Sequence, residues 1–350
     1  MTTDATTPPT TSPPAPSTTQ PAPKNGKAPL PRELASFLGE PPSVLIYGTP
    51  GTGKSTDIFK AFPEALYLIT AKGVLRPAAS WVRDNPKSGL TMPLPLMDPD
   101  SGKANKITFD RKARGGQGIT FFDGFETDEV TRETRPLKYE LDGIRRGAYI
   151  VLPEFAGNDD KGNQVRISNW NLLTVYANAF INRLKQEPNR YDALVIDEMS
   201  AFSTRVYEDI KADKRFCSAN GNLNTFKANN ELHTFHRWIG KFIPQQARKA
   251  VIMACHSAEP KYHDDENDPR HGRLKYMGGP RFPLGTLIES VTADMDVVLH
   301  LKMENDIDGS GRKYQTEADP LWVRKFRDFG IKPKEDIGLR ELLVRAGYVA

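Results

Sequence analysis

Hydrophobic positions in this chain fall into short continuous apolar runs separated by stretches of helical period. That is the pattern of strands buried on both faces and covered by helices. Ser43-Val-Leu-Ile-Tyr47 is such a run, and Ala65 to Thr70, bounded by Pro63 and polar residues, is the next. The helix-compatible segment Ser55 to Phe62 lies between them, so the three predict a βαβ unit with parallel strands. Trp170, Leu173, Ala177, Phe180, Ile181 and Leu184 recur at helical spacing behind Ser168 or Asn169 as N-cap, which predicts an amphipathic helix of about five turns. Tyr191 to Glu198 and Ala250 to His256 read as further buried strands. Leu232, Phe235, Ile239 and Phe242 predict a second helix facing a core. Asp296–Leu301 and Leu321–Arg327 are strand candidates, and Glu335 to Arg345 predicts a closing helix.

Two stretches break the pattern. Residues 1–30 are nearly all Thr, Pro, Ser and Ala, with too little apolar surface to offset ordering entropy, and read as a disordered tail that acts as a tether or binds a partner. A short helical pattern from Leu30 to Leu38 follows. Residues 31–350 then form one core, interrupted from about 86 to 167 by prolines, glycines and short strand candidates at Ile107–Phe109, Ile119–Phe122 and Ala148–Leu152. Arg111, Lys112, Arg114, Arg145 and Arg146 are scattered through this stretch. It reads as a β-rich insertion, either a solvated excursion or a substrate-contacting module.

Composition adds bounds. With 350 residues and 38% hydrophobic content the chain can bury a large core, and a net charge of +4 permits nucleic-acid contact without requiring it. Two cysteines, Cys217 and Cys255, argue against a disulfide framework and fit a reducing compartment. Neither a leader-like N-terminus nor a run of 18 apolar residues is present, so a soluble, unexported, cytoplasmic protein without membrane contact is expected.

The chemistry is concentrated after the first strand. Gly48-Thr-Pro-Gly-Thr-Gly-Lys-Ser55 fits the GxxxxGK[ST] phosphate loop, and it sits between strand and helix as that motif requires. Gly48, Gly51 and Gly53 allow the backbone amides to turn inward as an anion nest, with Thr49, Pro50, Thr52 and Thr56 completing the cradle. Lys54 can reach the β- and γ-phosphates of ATP, and the Ser55 hydroxyl can ligate Mg²⁺. Asp197 ends a buried strand at the carboxyl edge of the sheet, where it can hold the same Mg²⁺. Glu198 beside it can orient or deprotonate a water. His256 ends another strand at that edge, as a γ-phosphate sensor or as a hydrogen-bonded strand-end histidine. His233 and His236 share a helical face, yet no metal-binding spacing accompanies them.

The polar stretch Ser257–Leu284 carries Lys261, Arg270, Arg273, Lys275 and Arg281 with Tyr262 and Tyr276, suited to single-stranded nucleic acid, against an acidic group at Asp264, Asp265, Glu266 and Asp268. Lys325 and Arg327, two apart on a strand, share one side of it. They read as an ordinary charged edge or as a pair inserted into a neighbouring subunit's nucleotide site.

In order, IYGTPGTGKST, AFPEALYLIT, NW…YDALVIDEMSAF, VIMACHS, DMDVVLHL and WVRKFRD resemble the RecA-core P-loop ATPases of bacteriophages, in particular the Sak-type single-strand annealing ATPases. The resemblance spans most of residues 40 to 330. It implies a RecA-type, doubly wound, mostly parallel α/β sheet; Lys54 and Ser55 on phosphate and Mg²⁺; Asp197 as the Walker B acid; and His256 as sensor. It implies also Lys325 and Arg327 acting in trans within a ring or filament on single-stranded DNA, in recombination or replication. A helicase, helicase loader or packaging motor, or a nucleotide-gated scaffold with little hydrolysis, would share the Walker motifs. The chain departs from RecA after its second strand, where Ile69-Thr-Ala-Lys72 carries no carboxylate. The catalytic role then falls to Glu198, or hydrolysis is feeble.

Overall fold

The computed structural model describes residues 41–95 except 71, short segments between 125 and 166, and 169–348 except 219, 307–308, 317–318 and 327–333. The expected tail, the helix over Leu30–Leu38, the strands at Ile107–Phe109 and Ile119–Phe122, and Arg327 lie outside these residues.

The core strands and helices run in the order β1 (Ser43–Gly48), α1 (Lys54–Ala61), β2 (Leu66–Ile69), α2 (Arg76–Asp84), β3 (Leu94–Pro95), β4 (Ala148–Val151), α3 (Asn169–Gln186), β5 (Ala193–Ile196), α4 (Met199–Ala212), α5 (Thr225–Arg237), α6 (Ile243–Ala247), β6 (Ala250–Ala258), α7 (Leu287–Asp294), β7 (Val297–Asp306), β8 (Gly309–Gln315), β9 (Lys334–Glu335) and α8 (Leu339–Arg345). The strands form one sheet in the order β9-β8-β7-β1-β6-β5-β2-β4-β3. Every pairing from β7 to β3 is parallel. The β7–β8 hairpin and β9 run antiparallel, as does the short strand Gly279–Pro280 that pairs with the end of β6 off this path.

The apolar runs are continuous because the sheet is covered twice. Along β1, Leu45 and Tyr47 join a core with residues of α3, α4, α5 and α7. Val44 and Ile46 point the other way, into a core with α1, α2 and α8. The doubly wound, mostly parallel sheet expected from the sequence is the one observed.

Three expectations need correction. Residues 86–167 do contain short antiparallel ribbons, Phe125–Thr127 with Thr134–Pro136, Glu140–Leu141 with Ile144–Arg145, and Phe155–Asn158 with Gln164–Arg166. Yet β3 and β4, inside that span, are strands of the main sheet, because the alternately buried Ala148-Tyr-Ile-Val151 pairs in parallel with β2. The described residues of the strand expected over Leu321–Arg327, Leu321–Phe326, do not form one. They form isolated bridges from Trp322 to Gly278 and from Lys325 to Val298, because Trp322 leaves the sheet edge to stack on His300, ring centroids 4.5 Å apart. Phe242 does not face the core. The helix of Leu232 and Phe235 passes into a π-turn at Trp238–Phe242 that rotates Phe242 outward, 43% exposed.

Candidate functional site

The glycine loop joins β1 to α1 with Gly51 at φ 84 and Gly53 at φ 82, left-handed conformations that a side chain resists. Gly48 is required for another reason: a Cβ there would lie 2.3 Å from the Leu301 carbonyl of β7. Lys54 is folded back along the loop, its Nζ donating to the Gly48 carbonyl at 2.8 Å and the Thr49 carbonyl at 3.0 Å. Burial lowers its pKa, opposed by Asp197, Cys255 and Glu198.

β5 delivers the acids. Asp197 is 4% exposed; it accepts from the Glu198 amide at 2.9 Å and is hydrogen-bonded by Ser55. Burial pushes its carboxyl up to about 6, against the Ser55 bond, the Glu198 amide and the Lys54 charge. Glu198 caps α4 from a left-handed conformation, φ 62 and ψ 42. Such a backbone costs a non-glycine residue about 1–3 kcal/mol and is found where the surroundings enforce a functional geometry. Its Oε2 accepts from the Thr70 hydroxyl at the end of β2.

β6 brings His256 to the same edge. The His256 amide donates to Ser200 Oγ at 3.0 Å, and its carbonyl accepts from the Arg281 amide at 2.7 Å. The ring pKa is pushed down by burial and by Lys54, with Glu198 opposing and Arg281 adding to the fall. Its Nδ1 is buried and has no partner among the described residues.

These groups line a cleft of about 270 Å³ that includes Gly51, Gly53, Lys54, Ser55, Glu198 and His256. The cleft suits a nucleoside triphosphate. The loop is already in the left-handed form that turns amides inward, and Lys54 rests on neutral carbonyls that an anion can replace without breaking an ion pair. Ser55 and Asp197 are paired as Mg²⁺ would need them. No cluster of three or more metal-binding side chains occurs among the described residues, and Mg²⁺ does not need one when phosphates complete its shell.

The remaining candidates are placed elsewhere. Lys325 Nζ donates to the Ala293 carbonyl at 3.0 Å and to that of Met295, so in this chain it closes the C-terminal end of α7, where a cation is favoured. His233 pairs with Asp294 at 3.3 Å and His236 contacts Ser203 Oγ at 3.1 Å. Two residues of the site escaped the sequence reading. Thr70 lies in Ile69–Lys72, the stretch whose missing carboxylate was the available signal. Ser200 had none, since its role depends on α4 turning back beside β6.

A second groove, of about 1030 Å³, adjoins the cleft between α4 and the stretch after β6. It is lined by Arg205, Tyr207, Lys261, Tyr276, Arg281 and, on the shared wall, His256. Glu208 and Glu259 also border it. Of the basic residues after β6, Arg270 is tied to Asp268 at 2.8 Å instead.

The profile of an AAA domain family matches residues 155–327, a span holding Asp197, Glu198 and His256 and beginning beyond the glycine loop. No curated protein matches the chain. Among solved structures, a KaiC-like protein from the hyperthermophilic archaeon Pyrococcus horikoshii is similar at 13% identity over 79% of this chain and 77% of that one, with a TM-score of 0.29. So loose a likeness adds nothing on function. The sheet brings both Walker motifs to one edge, the arrangement of an ATPase-type P-loop domain, and the AAA-domain match covers the part of it that carries Asp197 and His256.

Proposed function

We propose that the chain is a Mg²⁺-dependent ATPase that couples nucleotide state to binding of single-stranded DNA, acting in phage recombination or replication as a ring or filament in the cytoplasm. The observation that carries the coupling is the position of His256, which lines both the phosphate cleft and the basic, aromatic groove. In the groove, Arg205, Lys261 and Arg281 supply phosphate contacts and Tyr207 and Tyr276 supply stacking faces.

In the cleft, the loop amides and Lys54 hold the β- and γ-phosphates. Mg²⁺ bound between Ser55 and Asp197 would neutralise charge on the phosphate oxygens. Glu198 orients a water and takes its proton as the water oxygen bonds to the γ-phosphorus. The bond from that phosphorus to the β–γ bridging oxygen breaks, leaving ADP and inorganic phosphate. His256, neutral near pH 7, has its unpartnered Nδ1 available to register the γ-phosphate. Loss of that contact would move the Arg281 amide bonded to the His256 carbonyl, and with it the groove.

The test is binding of a labelled single-stranded oligonucleotide, with and without ATP and Mg²⁺, at two salt concentrations. Native chain, Lys54→Ala and a Lys261→Ala/Arg281→Ala double variant would be compared. Expected is salt-sensitive binding that ATP strengthens, that Lys54→Ala makes insensitive to ATP, and that the groove variant weakens with a flatter salt dependence. Absence of binding by the native chain in every condition would remove DNA from the proposal.

A further inference from the structure

Arg312 on β8 lies against the glycine loop and has so far had no role. Its Nη1 donates to the Gly53 carbonyl at 3.4 Å, a long bond for an N–H donor, and the residue is exposed. The contact is also one of shape: a Cβ on Gly53 would lie 2.6 Å from Arg312 Nη1 and 3.5 Å from its Cζ. Gly53 is fixed as glycine by its left-handed backbone, and the guanidinium packed over it is close enough that a side chain there would push it aside.

The fold says which end of a bound nucleotide this guanidinium meets. Arg312 and Tyr314 alternate onto one side of β8, and the Tyr314 hydroxyl donates to Asp57 of α1. Arg312 is therefore on the side of the sheet that carries the helix behind the loop. In the sheet, β7 and β8 lie to one side of β1, while β6 and β5 lie to the other. Asp197, Glu198 and His256, which gather the terminal phosphate, all come from β5 and β6. A triphosphate laid along the loop with its γ end at those residues sends its nucleoside end toward the β7–β8 hairpin.

We propose that Arg312 holds the nucleoside end of ATP, its guanidinium stacked on the base. The inference rests on the ATP reading above. A guanidinium is planar and weakly hydrated, so it stacks on a π face without first shedding a tight water shell. The Gly53 carbonyl engages one of its five N–H donors and sets the height of the plane beside the loop.

The experiment is calorimetric titration of native chain, Arg312→Ala, Arg312→Lys and Lys54→Ala with Mg-ATP, Mg-ADP and Mg-tripolyphosphate. Melting temperature serves as the control for folding, which an exposed residue should leave in place. Arg312→Ala is expected to weaken ATP and ADP about tenfold and to leave tripolyphosphate unchanged. Arg312→Lys should lose the same amount, because an ammonium keeps the charge but not the plane. Equal loss for tripolyphosphate would make Arg312 a phosphate contact and overturn the proposal, as would unchanged affinity for all three. Lys54→Ala should weaken all three ligands. A native chain that binds none of them would instead overturn the ATP reading itself, and this proposal with it.

Discussion

The Thr70 hydroxyl donates to Glu198 Oε2, linking the end of β2 to the residue that follows the Walker B aspartate. β2 and β5 are neighbours in the sheet, with Leu68 paired to Ile196, so the two residues meet although 128 positions separate them. Where RecA places a carboxylate after its second strand, this chain places a donor that holds the carboxylate supplied by the next strand.

A base that must aim a water loses rate when its orientation loosens, even if its chemistry is intact. Thr70→Val should therefore lower kcat by about tenfold with KM little changed, and Thr70→Ser should restore most of it. Steady-state ATPase assays at saturating Mg-ATP decide the matter: a valine variant as fast as the native chain would leave Thr70 without a positioning role.

Asp197 gives the reaction an acidic limb. Burial raises its carboxyl to about 6 in the free protein, so it is ionised at pH 7 and becomes neutral as pH falls through about 6. The neutral form cannot serve as a metal ligand. The expected result is a kcat/KM that is level above pH 7 and falls tenfold per pH unit well below 6, since kcat/KM reports the free enzyme. The limb in kcat should lie at lower pH, because a bound cation favours the ionised carboxylate. Matching profiles for kcat and kcat/KM would assign the limb to another group.

Much of this was legible from the chain. β1, β2, β5 and β6 announce themselves because burial on both faces makes each a run of apolar residues, and the residues ending β5 and β6 reach the nucleotide edge as a consequence. The β8 strand was not legible. Gly309-Ser-Gly-Arg-Lys-Tyr-Gln315 has no apolar alternation and is held by its pairing to β7, with Tyr314 its one buried ring among the described residues. Arg312 went unnoticed for that reason. The opposite error came at Leu321–Arg327, where alternation suggested a strand. There Trp322 is drawn into a stack with His300, and His300 stacks in turn on Tyr47, centroids 4.5 Å apart; no local pattern encodes such a three-ring contact.

Asp192 stands at the other end of β5 from the site. Burial, then the nearby charge of Glu64, pushes its carboxyl up to about 7, with Arg340 and Lys249 opposing. A raised folded-state value means that the protonated form fits the fold better. Its contribution is present in full below the unfolded value near 4 and is lost as pH rises through about 7. Asp192→Asn keeps the neutral shape at every pH. It should stabilise the protein by about 1–3 kcal/mol at pH 8 and by about a quarter of that at pH 4.5, where the unfolded carboxyl is already mostly ionised. Urea unfolding at the two pH values checks this; equal effects at both would show that Asp192 does not titrate in that window.

Asp57 ties the nucleotide-binding helix to the far edge of the sheet. Its buried carboxylate accepts from the Tyr314 hydroxyl of β8 and from the Leu339 amide at the start of α8, the latter at 3.2 Å. Burial, with the adjacent Asp57 charge, keeps the Tyr314 phenol well above its usual range, so it stays a donor at any working pH. Tyr314→Phe removes that donor and keeps the ring, leaving a buried carboxylate short of one bond, which costs about 1–3 kcal/mol. Asp57→Asn should cost less, because an amide needs less compensation than a charge. The double variant should be less destabilised than the sum of the two, since Tyr314→Phe does no further harm once the charge is gone. Because α1 begins at Lys54, the same variants should weaken Mg-ATP binding slightly while leaving kcat near the native value. Additive stabilities in the cycle would mean that the Tyr314 hydroxyl and the Asp57 carboxylate act independently, and the link between helix and sheet edge would then rest on packing alone.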